Sequence, residues 1–274
     1  MGKTLYLDCF SGISGDMTIA ALLDTGINME YLEKELKKLQ LEEAYQLQLK
    51  RVNKNGISSL KFDVIFDERP HHHVHTHAHS HEHEHTHDQH HHHHHHHNHS
   101  HGHDHHHRTY KDIVTLIENS DLNATVKELS LKVFKVIGEA EAKIHGMDLE
   151  KVHFHEVGAI DSIVDIVGTA ILIDKLEIEE VISSPVPVGS GRIKIDHGIY
   201  PVPAPATLEI LKDVPLKSTD IKGELTTPTG AAIVKVLAEE FSESIPNITV
   251  NQIGYGAGTK TFKDHPNVLR IILG

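Results

Sequence analysis

Cysteine is almost absent from this sequence. Cys9 is the single cysteine among 274 residues. One cysteine cannot form a disulfide within the chain, and a zinc site built from several thiolates is excluded for the same reason. If this chain binds a metal, the ligands would therefore be imidazole and carboxylate side chains.

Long apolar runs and an excess of positive charge are also missing. No apolar stretch approaches the ~18 residues of a membrane-spanning helix. Acids at Asp8 and Asp16 stand where a secretion signal would be apolar. The formal net charge is −13, which argues against nucleic acid as the main partner because phosphate binding needs a basic surface. We therefore expect a soluble, cytoplasmic protein without a membrane or nucleic acid partner.

Histidine, by contrast, is in large excess. Residues 71–107, the His-rich segment, hold 24 of the 29 histidines, and eight follow one another at 90–97. A purification tag and a solvated loop without a role are the alternatives. The internal position and the alternating His-x-His pattern favour capture of divalent ions such as nickel by neutral imidazole. The predicted metal ligands here include His71, His73, His75, His77, His79 and His81.

The His-rich segment predicts a metal capacity that depends on pH. Imidazole binds a metal only when it is deprotonated, and its ordinary pKa is ~6.5. Calorimetric titration with nickel should give several weakly bound ions per chain at about pH 7.5 and far fewer at about pH 5.5. An equal stoichiometry at the two pH values would contradict metal capture by these histidines.

The remaining patterns predict an α+β fold, an irregular α/β arrangement with a mixed sheet in two lobes. The first lobe covers 1–68, the His-rich insertion 69–108, and the second lobe 109–274. Glycine and asparagine mark turns and helix ends, as in the hairpin turn Asn55-Gly56 and the helix stop at Gly146. The main predicted elements are a strand at 3–10, helices at 29–39, 109–119, 124–145, 159–175 and 228–241, and strands near 247–253 and 267–273.

The stretch "LDCFSGISGD" is the first candidate site. It begins at Leu7, at the end of a predicted strand, and leads into a helix. Glycines let the backbone approach a ligand, and a helix start attracts anions. The alternative is an ordinary capped turn, and no Gly-Lys-Ser/Thr follows that would make it a nucleotide P-loop. The predicted cofactor-binding residues are Asp8, Ser11, Gly12, Ser14, Gly15 and Asp16.

The stretch "HFHEVGAIDSIVDIVG" is the second candidate. His153 and His155 alternate, and Glu156 follows them. Asp161 and Asp165 are four residues apart, which places them on one stripe of a helix that is otherwise apolar and therefore buried. Stacked carboxylates persist there if a cation, a donor cluster or a proton serves them; a watery groove is the alternative. We predict metal ligation by the two histidines and catalysis by the three acids.

Four loops rich in glycine and proline form the third candidate. They offer Arg192 and Lys260 as cations for an anionic ligand, although ordinary turns are the alternative. The last loop, "GYGAGTKT", has Thr259 where a P-loop has its second glycine. No helix is predicted after it, so this loop is not read as a nucleotide P-loop.

Five blocks carry a family resemblance. In order, "LYLDCFSGISGDM", "HFHEVGAIDSIVDIVG", "PVPVGSG", "HGIYPVPAPAT" and "GELTTPTGAA", with a histidine-rich insertion, resemble the LarC family of nickel insertion proteins. The resemblance implies a nickel chelatase or cyclometallase of the lyase class. It would place Ni(II) into pyridinium-3,5-bisthiocarboxylic acid mononucleotide through two nickel–sulfur bonds and one nickel–carbon bond. The product would mature the lactate racemase apoprotein.

The resemblance further implies coupling to CTP hydrolysis, with Mg or Mn, in a C-terminal domain that this sequence does not contain. A separate C-terminal polypeptide and a homo-oligomer are expected partners. Forming a nickel–carbon bond removes a ring proton, so a general base is needed, and the acids and histidines of the second candidate supply it. The turn at 7–16, Arg192 and Lys260 would hold the nucleotide. The alternative is a non-catalytic cytosolic nickel storage protein or metallochaperone whose function is the His-rich segment.

Overall fold

The computed structural model describes residues 2–41, 45–66, 108–154, 160–195 and 198–274. The predicted ligands of the His-rich segment lie outside these residues, as do His155 and Glu156. Among the described residues, no helix is both long enough and apolar enough to cross a membrane.

A seven-stranded mixed sheet forms the centre of the fold, which confirms the predicted mixture of α and β structure. The described residues form thirteen strands, seven of which make up this sheet and six of which form three two-stranded sheets. They are β1 (Lys3–Asp8), β2 (Tyr45–Lys54), β3 (Ile57–Phe66), β4 (Ile178–Ser183), β5 (Val186–Pro187), β6 (Gly189–Ser190), β7 (Arg192–Ile195), β8 (Gly198–Pro201), β9 (Leu216–Lys217), β10 (Gly223–Glu224), β11 (Glu240–Phe241), β12 (Gln252–Ala257) and β13 (Val268–Leu273). The sheet has the order β11-β4-β1-β13-β12-β3-β2. It therefore takes strands from both stretches that the sequence assigns to separate lobes.

Helices pack against one face of this sheet. They are α1 (Gly15–Asp24), α2 (Met29–Leu36), α3 (Tyr110–Asn119), α4 (Ala124–His145), α5 (Ile160–Leu176), α6 (Pro205–Ile210) and α7 (Pro228–Leu237). Leu5 and Leu7 of β1 belong to the large core under the helices, whereas Tyr6 belongs to a small cluster with Ile182 and Ile272. Since side chains alternate along a strand, these two clusters mark the two faces of the sheet.

Local chemistry explains the elements that the sequence predicts well. Asn55 and Gly56 have positive φ angles of 49° and 89°, as the tight hairpin between β2 and β3 requires. Helix α4 ends at Gly146, whose φ of 64° fits a glycine stop. Thr109 and Asp112 form a capping box at the start of α3. Helix α5 is buried along most of its length, as its apolar sequence predicts.

Tertiary pairing overrides the sequence pattern at several boundaries. The helix predicted at 228–241 ends at Leu237, because residues 240–241 pair with β4 as β11. The strand predicted near 247–253 begins only at Gln252. The helix predicted at 29–39 finishes as a 3₁₀ turn after Leu36, and the first strand ends at Asp8 rather than at residue 10.

The "GYGAG" sequence lies where α1 crosses β12. A Cβ atom on Gly254 would lie 2.0 Å from the carbonyl oxygen of Ala21, and one on Gly256 would lie 1.9 Å from that of Met17. The missing side chains therefore let the helix backbone rest directly on the strand. These two glycines serve helix–sheet packing in the described structure.

Candidate functional site

The turn after β1 delivers the start of α1 to helix α5. A Cβ atom on Gly15 would lie 2.5 Å from the Cβ and Oδ2 atoms of Asp165, so the two helices touch at this point. The hydroxyl of Ser14 donates a short hydrogen bond to Asp16. The first and second candidate sites therefore meet, with Asp16 of one beside Asp165 of the other.

A pocket of about 280 Å³ opens at this meeting point. We call it the carboxylate pocket. Its acidic lining residues come from three elements: Asp16 from α1, Asp63 from β3, and Asp161 and Asp165 from α5. Four carboxylates around so small a space repel one another unless positive charge or protons offset them.

Lys61 of β3 supplies the positive charge. Its Nζ lies 2.7 Å from Asp16 Oδ2 and 2.7 Å from Asp63 Oδ1, and it donates a further hydrogen bond of 2.8 Å to the Phe62 carbonyl. Only 8% of its side chain is exposed. Burial opposes the charged ammonium, but the two carboxylates prevail and raise the pKa of Lys61. The lysine is thus held as a cation under the pocket.

Asp165 is the acid whose pKa this environment raises. Burial, and then the charges of Asp16 and Asp161, raise the pKa of Asp165 well above its ordinary value. Lys61 and the backbone N–H of Asp16 act in the opposite direction. A carboxyl group placed in this way holds its proton to a higher pH than an ordinary aspartate does, which suits it to proton transfer.

Asp161 stands in a more open position than the sequence suggests. It is exposed, and the backbone N–H of Ser162 donates to its Oδ1 at 2.8 Å. The helix is buried as predicted, but its acidic stripe opens on the pocket. The alternative of a watery groove therefore fits Asp161, whereas Asp165 is partly exposed where it lines the pocket.

Part of the turn at 7–16 serves the fold instead of the pocket. Asp8 is two residues after Tyr6 in β1, so its side chain points to the same face of the sheet, away from the large core. There it pairs with Arg270, whose Nε donates a hydrogen bond of 2.8 Å to Asp8 Oδ2. Ser11 is fully buried, and its hydroxyl has no hydrogen-bond partner among the described residues. Gly12 has a φ of 90°, and a Cβ there would meet the carbonyl oxygen of Leu225 at 2.0 Å.

The remaining predicted residues lie apart from the carboxylate pocket. Arg192 is exposed in β7. Lys260 donates to the Glu224 carbonyl at 2.9 Å, although its neighbour Thr259 lines the pocket. His153 is exposed and forms a β-bridge with Thr109. No group of three or more His, Cys, Asp or Glu side chains that could hold a metal ion occurs in the described part of the chain.

Lys61 and Asp63 are the site residues that the sequence reading missed. They occupy alternate positions of a strand, so both point to the same face, while Phe62 and Val64 point to the other. A lysine and an aspartate at alternate positions of a predicted strand are a detectable signal of a polar site on one face of that strand. The turn residues Asn55-Gly56 predict the hairpin, but they do not indicate which face its polar residues occupy.

Removing the cation of the pocket should destabilise the fold. In Lys61→Met, Asp16, Asp63 and Asp165 face one another without an ammonium, and we expect a loss on the order of 2–4 kcal/mol in the free energy of unfolding. Denaturant titration measures it. Lys50→Met is the matched control, because Lys50 also pairs with Asp63 (3.1 Å) but is 52% exposed; its loss should stay below about 1 kcal/mol. Equal losses would show that Lys61 is not the central cation.

Comparisons with known proteins agree with one another. A family model described as nickel insertion protein matches residues 5–274. The pyridinium-3,5-bisthiocarboxylic acid mononucleotide nickel insertion protein of Geobacillus kaustophilus is 50% identical over 99% of this chain and 60% of its own length. Proteins of the same name from Clostridium kluyveri and Staphylococcus saprophyticus are 49% and 44% identical, over 62% and 60% of their own lengths. The chain thus spans about 60% of the length of these curated relatives, and no solved structure matches it.

Proposed function

The chain belongs to the nickel insertion protein family, and on this premise we propose that it takes part in inserting nickel into pyridinium-3,5-bisthiocarboxylic acid mononucleotide. The names of the relatives, which are 44–50% identical to this chain, support this substrate. The structural observation that carries the proposal is Asp165, a carboxyl group with a raised pKa in a pocket of four acids and one lysine.

The proposed chemistry needs a group that accepts a proton from carbon. As the nickel–carbon bond forms, the ring C–H bond breaks, its electron pair passes to nickel, and its proton must go to a base. We assign this base to Asp165. Before a metal ion arrives, the raised pKa makes Asp165 hold its proton to a higher pH than an ordinary carboxyl group does. The arrival of a divalent cation lowers that pKa by charge attraction, so the carboxylate base forms when nickel is near.

The other acids have supporting roles in this proposal. Asp16 and Asp161 add negative charge that attracts the incoming cation, and Lys61 offsets part of it so that the pocket folds. Glu156, His153 and His155, next to α5 in the sequence, are proposed as further nickel contacts. The His-rich segment is proposed to hold nickel before it is inserted.

Further parts of the proposal concern the whole reaction. We propose a lyase-type nickel insertion that depends on CTP with Mg or Mn, takes place in the cytoplasm and delivers its product to lactate racemase. The competing function is nickel storage without catalysis. Its basis is the His-rich segment, whose 24 histidines would suffice for holding nickel.

Reconstitution tests the proposal directly. This chain, together with a polypeptide that supplies the rest of a relative's length, is incubated with the mononucleotide, nickel and CTP. Mass spectrometry should then detect a nickel-containing nucleotide. A chain lacking residues 71–107 separates the two functions. An insertion protein without this segment should still bind the mononucleotide, whereas a storage protein should bind neither the mononucleotide nor nickel. Nickel binding without any nickel-containing nucleotide would favour storage.

A further inference from the structure

A second, larger crevice of about 760 Å³ is lined in part by Phe10, which lies in the turn between β1 and α1. Phe10, Phe262 and His265 line it with aromatic rings. The ring centroids of Phe10 and His265 are 6.0 Å apart, and those of Phe262 and His265 are 6.2 Å apart. We call this the aromatic crevice. Its size is within the range of pockets that hold small molecules.

The imidazole of His265 behaves here as a third neutral ring. Its Nε2 is inaccessible to solvent and has no hydrogen-bond partner among the described residues. Burial lowers the pKa of His265. A neutral imidazole adds aromatic surface without adding positive charge, so a cationic ring next to it is not repelled.

Charged side chains of both signs stand around the rings. Two lysines and two aspartates line the same crevice: Lys217, Lys222, Asp220 and Asp264. None of these four side chains forms an ion pair within the described residues. A ligand with anionic groups alone would meet two aspartates, and a purely cationic ligand would meet two lysines. The crevice therefore suits a ligand that carries positive charge on a flat ring and negative charge elsewhere.

The aromatic crevice and the carboxylate pocket are lined by different residues, but two segments of the chain contribute to both. Phe10 lies in the turn that follows the carboxyl end of β1, and Asp16 lies in the first turn of α1, which comes directly after it. Thr259 and Phe262 belong to one loop, which Lys54 at the tip of the hairpin holds through hydrogen bonds of 3.3 and 3.0 Å to the carbonyls of Thr259 and Lys260. In sheets with parallel strands, ligands bind in crevices beyond the carboxyl ends of the strands, and β1 is parallel to β4.

From these observations we infer that the aromatic crevice binds a pyridinium mononucleotide, with the cationic ring against Phe10 and Phe262 and the phosphate at Lys217 and Lys222. Aromatic faces attract a ring cation, and lysines bind phosphate as point charges. Asp220 and Asp264 complement the ring charge and the ribose hydroxyls. The identity of this ligand as the substrate rests on the proposed function.

Calorimetric titration with nicotinate mononucleotide tests the inference, since this probe has a pyridinium ring, a carboxylate and a phosphate. Phe262→Leu should weaken its binding about tenfold, the typical effect of losing one aromatic stacking partner. Lys222→Gln should weaken it severalfold, and more strongly at low than at high salt. Phe66→Leu is the matched control, because Phe66 is an exposed phenylalanine outside the crevice; its affinity should equal that of the unmodified chain.

The outcomes separate this inference from the proposed function. If the probe does not bind the chain, or if Phe262→Leu binds it as tightly as the control, the aromatic crevice is not the site. If ribose 5-phosphate binds as tightly as nicotinate mononucleotide, the crevice recognises only the phosphate, and the proposed role of the aromatic rings is wrong. The insertion assay is then run on the same variants. If Phe262→Leu inserts nickel at the full rate, the crevice is not needed for the proposed function. If the unmodified protein forms no product, the proposed function itself is wrong.

Discussion

Replacement of Asp165 by asparagine is expected to leave the protein folded and at least as stable, while nickel insertion falls by roughly two orders of magnitude or more. The amide keeps the shape of the side chain but removes a charge that burial, Asp16 and Asp161 all disfavour. The variant also removes the proposed proton acceptor. Insertion is measured in the reconstituted reaction, and stability by denaturant titration of the same preparation.

The pH dependence of stability gives an independent test of Asp165. Its pKa in the folded protein lies above the unfolded value of about 4, so the folded state holds the proton more tightly. The contribution to stability is complete below the unfolded pKa and is lost as the pH rises through the folded pKa. Over that window, the stability of the unmodified protein should decline relative to Asp165→Asn.

Asp174→Asn is the matched control on the same helix. Asp174 lies outside the carboxylate pocket and accepts a hydrogen bond of 2.9 Å from Asn123. Its replacement should leave insertion unchanged and cost about 1 kcal/mol at most. A stable Asp165→Asn protein that inserts nickel at the unmodified rate would refute the assignment of the base.

Gly256→Ala is expected to have the largest effect on folding. The new methyl group would lie 1.9 Å from the carbonyl oxygen of Met17 and 2.7 Å from the backbone nitrogen of Ala21. Both contacts involve helix backbone, which cannot turn aside as a side chain can, so α1 must lift from β12. We expect a loss of about 3 kcal/mol or more in the free energy of unfolding.

Gly56→Ala separates this steric effect from conformational strain. Gly56 has a φ of 89° at the hairpin tip, but a Cβ there would meet nothing within 4 Å. Its replacement should cost roughly 1–2 kcal/mol from backbone strain alone. If Gly256→Ala costs no more than Gly56→Ala, the close contact between α1 and β12 does not limit stability.

Sequence patterns predicted the elements whose cause is local. The β2–β3 hairpin, the end of α4 at Gly146 and the buried helix α5 follow from turn residues and apolar spacing. The meeting of Asp16 with Asp165 could not be predicted in this way, because it depends on how α1 and α5 cross. The role of Lys61 could not be predicted for the same reason: its ion pair with Asp16 depends on where the start of α1 lies, which no neighbour in sequence reveals.

The pairing of β1 with β13 has a consequence for synthesis on the ribosome. Asp8 and Arg270, which face each other in these strands, are separated by 262 positions in the sequence. At translation rates of ~5–20 residues per second, β1 waits roughly 10–50 s for this neighbour. During that interval one hydrogen-bonding edge of an apolar strand stays open, which makes the nascent chain a candidate for chaperone binding. Completion of the central sheet is therefore a late, long-range step that sets a slow pace for folding.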